Sequence, residues 1–228
     1  RGRRHRLPGA DQSNRLLREL RALLVDPETH RILEALMDLL SLPRVGEYRV
    51  ILADPPWHFE NWSEAGEEKN AATHYDCMTL DELKALRIGS GLDFVCAPDC
   101  AMLMWATFPL LPDALKLLDD WGFAYKSGGA WGKLTKHGKV AFGPGYLYRS
   151  AAELWLLGTR GSPVVRSHSV RNLILERRRE HSRKPDRMYD DIEALFEGPY
   201  LELFARARRP GWDAAGNEVG KFDQKEAA

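Results

Sequence analysis

From Tyr48 onward, short apolar runs alternate with amphipathic helical stretches, and this rhythm limits the fold more than any other feature. Tyr48-Arg49-Val50-Ile51-Leu52-Ala53 reads as a buried strand. Thr79-Leu80-Asp81-Glu82-Leu83 opens a capped helix. Residues 101–106 read as an apolar strand, 109–121 as an amphipathic helix stopped by Gly122, and 123–131 as a further strand. A Gly/Lys-rich loop is expected over 132–145, a strand over 153–157, a helix over 185–196 and a last strand over 200–205. This order predicts an α/β fold with a mostly parallel sheet and helices on both faces. Residues 13–42 read as a helical hairpin broken at Asp26-Pro27-Glu28, with Pro43 and Gly46 marking its end. The expected layout is a basic tail and helical hairpin over 1–45, the α/β domain over 46–222 and a short tail over 223–228.

The first strand runs straight into Asp54-Pro55-Pro56-Trp57. A carboxylate there sits at a strand's carboxyl end, where open α/β sheets place their ligands. Each proline fixes φ and removes an N–H, so carbonyls in the turn can face a ligand. Trp57 offers a flat surface for a base. Carboxylate, rigid carbonyls and aromatic plate suit an exocyclic amino group on a flat heterocycle. The plain alternative is a stiff turn in front of a core tryptophan.

A partner site is expected on another strand end. Glu202 and Phe204 alternate with Leu201 and Leu203, and Arg206 follows. Asn217 and Glu218 suit ribose hydroxyls, because a carboxylate accepts and an amide does either. Arg206 and Lys184 suit a carboxylate, with Lys184 just before a helix that Pro185 would open. Ribose and carboxylate binders together fit an amino-acid nucleoside such as S-adenosylmethionine. The GxGxxG fingerprint of dinucleotide sites is absent.

The 228 residues carry equal numbers of basic and acidic side chains, but the charge is segregated. Arginines gather at Arg1, Arg3, Arg4 and Arg6, between Arg166 and Arg187, and at Arg206, Arg208 and Arg209. Local patches of this kind neutralise phosphates, or simply form solvated faces. Cys77, Cys96 and Cys100 lack zinc spacing, so reduced thiols and no metal are expected; Cys96 and Cys100 could share a helical face. No run spans a membrane and no signal-peptide pattern appears, so a cytoplasmic protein is expected. The chain opens on Arg1, so a trimmed sequence is expected.

Seven ordered blocks carry a family resemblance: ILADPPW, HYDCMTLDEL, MLMWAT, WGKLTKHGK, YLYRSAAELWLLGTRG, EHSRKPDRMYDDIE and YLELFARARRPGWDAAGNE. In this order they resemble the adenine-N6 methyltransferases related to the catalytic subunit of the mRNA adenosine methyltransferase, in the style of bacterial and phage members. The resemblance implies a permuted Rossmann-like methyltransferase domain, with the catalytic strand before the cofactor strand. It implies S-adenosylmethionine as cofactor, Asp54, Pro55, Pro56 and Trp57 as catalytic motif, and Asp54, Lys184, Glu202, Phe204, Arg206, Asn217 and Glu218 as cofactor contacts. Trp57, Tyr75, Lys133 and Arg149 are the expected substrate contacts, with Lys136 and Lys139 near phosphate. Glu218 stands where the mRNA enzyme has glutamine, and 205–210 departs from its segment.

The function so implied is site-specific methylation of the adenine N6 amino group in nucleic acid, with DNA favoured by analogy. The alternatives are an RNA adenosine N6-methyltransferase and a non-catalytic nucleic-acid-binding subunit of the same fold. Relatives acting on protein amides tend to carry Asn where this chain has Asp54. A homodimer is compatible with the helical hairpin.

Overall fold

Among the described residues, seven strands form one sheet in the computed structural model, which describes residues 27–44, 46–57, 77–87, 92–145, 147–180 and 183–223. They are β1 (Tyr48–Ala53), β2 (Cys96–Ala106), β3 (Ala124–Leu134), β4 (Ala152–Arg160), β5 (Leu173–Arg177), β6 (Tyr200–Leu203) and β7 (Trp212–Ala215). The spatial order is β5-β3-β4-β2-β1-β6-β7. β1 pairs in parallel with β2 and β6, β6 with β7, and β3 with β5. β4 alone is antiparallel, to both β2 and β3. The other six strands therefore run one way. Their carboxyl ends share a single rim, and β4 begins at that same rim.

Side chains alternate between two buried faces, as the two-residue period of a strand requires. Ile51, Ala53, Met102, Met104, Leu201 and Leu203 face one cluster, together with Leu36 and Leu39 of α1 (Pro27–Leu40) and Leu117 and Leu118 of α4 (Leu111–Asp120). Val50, Leu52, Leu103 and Trp105 face the other, against Met188 and Ile192 of α5 (Arg187–Leu195). Each fully buried aliphatic side chain contributes about 1.5–3 kcal/mol. Helices thus cover both faces of a mixed α/β sheet, consistent with a Rossmann-like methyltransferase fold.

Short α2 (Leu80–Ala85) starts with a capping box: the Thr79 hydroxyl accepts from the Glu82 amide, and the Thr79 amide donates to Glu82 Oε2 at 2.7 Å. The same glutamate takes Arg31 of α1 on Oε1, from Nε at 3.0 Å and NH2 at 2.7 Å. Burial opposes the Glu82 charge, but the Thr79 amide and Arg31 outweigh it and hold the carboxyl below its ordinary value. α1 is thereby tied to the sheet's own helices. The expected first helix of the hairpin lies outside the described residues.

Several expectations need correcting. Cys96 and Cys100 lie on β2 rather than a helix, both buried, with α3 (Leu92–Val95) just before them. The loop expected from residue 132 starts only after Leu134, because β3 continues to pair with β4 and β5. β5 was hidden inside the arginine-rich stretch, and β7 inside the segment read as a ribose binder. The last long strand ends at Leu203, since Phe204 turns out of it with φ +59°.

Candidate active site

Asp54 leaves β1 at the shared rim, its amide still donating to the Leu203 carbonyl of β6 at 3.4 Å. Its carboxylate is doubly held. Lys184 Nζ lies 2.8 Å from each oxygen, and Arg206 NH2 lies 3.0 Å from Oδ2. Lys184 also lies 3.5 Å from Glu153 at the start of β4, and Glu153 pairs with Lys133 at the end of β3. The reversed direction of β4 is what brings a residue from a strand's beginning to this rim. The result is an alternating chain of charges, Lys133, Glu153, Lys184, Asp54 and Arg206, with Lys184 over the Trp105 ring at 5.5 Å.

Burial works against the charge on Lys184, but Asp54 and Glu153 outweigh it and raise its pKa. Burial likewise opposes the Glu153 charge, and Lys184 and Lys133 outweigh it, so its carboxyl stays below the ordinary range. Glu202 behaves the other way. Burial, with the Asp54 charge adding to it, pushes its pKa up to about 7. Tyr189 of α5 donates to Glu202 Oε2 at 2.9 Å.

The turn after Asp54 is internally bonded. The Trp57 amide donates to the Pro55 carbonyl and the Met78 amide to the Pro56 carbonyl, each at 2.8 Å. Each carbonyl keeps a second lone pair for a ligand. Trp57 Nε1 donates to the Trp105 carbonyl at 3.2 Å, which fixes the ring's edge and direction.

Two cavities flank this rim. One, about 160 Å³, is polar and contains Asp54, Lys184, Glu202 and Arg206. The other, about 90 Å³, lies between α1 and the ends of β6 and β7; Ala35, Leu39 and Leu203 give it an apolar floor, with Asp38 and Asn217 as polar groups. Phe204 lines both. Its left-handed backbone costs a non-glycine residue on the order of 1 kcal/mol, the kind of strain that collects where a ligand is held.

This arrangement coincides with a family match. The model of the MT-A70 family matches residues 48–218. The chain belongs to the MT-A70 family. It is 32% identical over 198 residues to the type II methyltransferase M.MunI of Mycoplasma sp, covering 78% of this chain and 80% of that protein. It is 27% identical over 188 residues to the human N(6)-adenosine-methyltransferase catalytic subunit METTL3, and 28% over 190 residues to an Arabidopsis thaliana N(6)-adenosine-methyltransferase MT-A70-like protein. Those matches cover 79% and 80% of this chain but only 30% and 24% of the two larger proteins.

Within this MT-A70 chain, the expected Asp54, Lys184, Glu202, Phe204 and Arg206 converge on one cavity. Asn217 lines the neighbouring one, while Glu218 turns to Lys221. Tyr75 lies outside the described residues. Lys133, an expected substrate contact, pairs with Glu153 and lies over the Trp131 ring. Arg149 is exposed and stacked over Phe142. Sequence reasoning missed Glu153, Tyr189 and Asp38. The available signal for Glu153 was a lone acid heading the apolar run Leu154-Trp155-Leu156-Leu157. Among the described residues no helix is long and apolar enough to cross a membrane.

Proposed function

We propose that this MT-A70 protein transfers a methyl group from S-adenosylmethionine to the N6 amino group of adenine in nucleic acid, with DNA as the favoured polymer. The observation that carries the reading is Asp54 clasped by Lys184 and Arg206 at a parallel strand end, with a second, apolar cavity next door. The donor set fits the cofactor: Lys184 and Arg206 for its carboxylate, Phe204 and the Asp38–Asn217 cavity for its nucleoside. When bound, S-adenosylmethionine supplies an electrophilic methyl on a sulfonium.

The adenine amino nitrogen is a poor nucleophile, because its lone pair is delocalised into the ring. Asp54 accepting one of its protons, and a carbonyl of Pro55 or Pro56 accepting the other, would localise that pair and aim it. Correct aim is itself a large contribution to rate. Trp57, its ring edge fixed by the Trp105 carbonyl, gives the base a wall. Glu153, itself paired with Lys133, holds Lys184 from the far side.

The test is transfer of labelled methyl to matched duplex DNA, single-stranded DNA and RNA, followed by identification of the modified nucleoside. N6-methyladenine in DNA is the expected product. Transfer confined to RNA would move the assignment to the chemistry named for METTL3, and modification of cytosine or protein would overturn it.

A further inference from the structure

The β3–β4 connection leaves and rejoins the sheet at the Asp54 rim, because β4 alone is reversed. It is anchored there. The Ala141 amide donates to the Lys133 carbonyl at 2.8 Å, and Lys133 is the first member of the charge chain ending at Asp54 and Arg206. Further out, the Gly143 amide donates to the Ser150 carbonyl at 2.8 Å and the Ser150 amide to the Pro144 carbonyl at 3.3 Å. Gly143 and Pro144 are thus joined to Ser150 by backbone hydrogen bonds. Gly145 permits the tight path, since a Cβ there would overlap the Tyr148 carbonyl.

This braced turn holds large apolar side chains in water. Phe142 is 76% exposed, Leu147 84% and Tyr148 89%. Isolated exposed apolar residues are ordinary, but with Val140, 70% exposed, four on one connection mark a contact surface. The connection's own exposed charges are basic, Lys136, Lys139 and Arg149, and Arg177 and Arg178 are exposed where β5 ends beside β3, with Glu176 and Glu180 as the nearby acids of that segment. None of these five cations has a carboxylate partner among the described residues. A symmetric second copy would set these cations against themselves. A polyanion bearing flat apolar faces matches both halves of the surface.

We propose that Phe142, Leu147 and Tyr148 form a base-stacking wedge on the nucleic acid, contacting bases next to the acceptor adenine, while Lys136, Lys139 and Arg149 take phosphates. The wedge rests on the nucleic-acid reading above and deepens it. Turning a base out of a stack costs a few kcal/mol, and stacking the exposed neighbours on Tyr148 and Phe142 offsets part of that cost.

Binding of single-stranded and duplex DNA carrying a fluorescent adenine analogue tests it, with no need for turnover. The paired substitutions Leu147→Ala and Tyr148→Ala should weaken binding about tenfold and abolish the stacking change in fluorescence, leaving the salt dependence unaltered. Tyr148→Trp should retain both. Lys136→Ala with Lys139→Ala should instead flatten the salt dependence. S-adenosylmethionine affinity should be unchanged throughout. Wild-type binding by the Leu147/Tyr148 variant would overturn the wedge, as would loss of a dimer in sedimentation with DNA affinity intact. If the wild-type chain shows the stacking signal but never methylates adenine, the acceptor assignment falls and the wedge stands.

Discussion

Lys184 Nζ donates to both carboxylate oxygens of Asp54 at 2.8 Å, so a cation sits directly on the proposed amine acceptor. Asp54 becomes available only when something else neutralises Lys184 and Arg206. A cofactor carboxylate can do so.

Asp54→Ala should abolish methyl transfer while leaving S-adenosylmethionine binding largely intact. It also removes the carboxylate that Lys184 and Arg206 share, a loss on the order of 1–3 kcal/mol in stability, since Glu153 still faces Lys184. Added cofactor should recover part of that loss, because its carboxylate replaces the missing one. Thermal unfolding with and without cofactor measures this; near-normal turnover by the variant would end the proposed role.

The same exchange predicts ordered binding. S-adenosylhomocysteine, which has the carboxylate, should tighten binding of an adenine-containing oligonucleotide. Methylthioadenosine, which lacks it, should not. Equal effects of the two in a titration would show that Asp54 is not released in this way.

Glu202 gives a pH signature. Its folded pKa of about 7 stands above the ordinary 4.5, so the folded chain binds this proton more tightly than the unfolded chain. Its favourable contribution is complete below about pH 4.5 and is lost as pH rises to about 7. Glu202→Gln keeps an acceptor for the Tyr189 hydroxyl and removes the titration. The melting temperature of this variant relative to wild type should therefore rise between those pH values; a pH-independent difference would contradict the assignment.

Glu82 serves two elements, and its two roles are separable. Glu82→Ala loses the reciprocal cap on α2 and leaves Arg31 without its carboxylate, for about 1–3 kcal/mol. Arg31→Met keeps the cap and loses only the tie to α1. Both should weaken S-adenosylmethionine binding, because α1 walls the cavity shared by Asp38 and Asn217. Denaturant midpoints and cofactor affinities for the pair distinguish the cap from the tie.

Much of the centre was legible in the chain. Asp54 announced itself because a carboxylate ending an apolar run has few other uses, and Lys184 and Arg206 because cations near strand ends suit an anionic ligand. Glu153 was not legible. Its meaning depends on the direction of β4, and the short apolar run Leu154-Trp155-Leu156-Leu157 reads like that of a parallel strand. β5 was missed because Leu173 and Leu175 alternate over only five residues inside an arginine-rich stretch, where charge masked the period of two. The role of α1 was hidden for a different reason: Arg31 and Glu82 are 51 residues apart, and no local periodicity couples them. Phe204 was expected inside a strand, and its left-handed backbone follows from tertiary context rather than from any preference of phenylalanine.

The solitary reversed strand has an evolutionary corollary. Because β3 ends and β4 begins at one rim, the intervening stretch can be lengthened, shortened or exchanged as a cassette without re-registering a single strand. The charge chain of the Asp54 rim stays fixed in the sheet while the connection beside it varies. Grafting that cassette between relatives is therefore a direct test of whether it governs the acceptor.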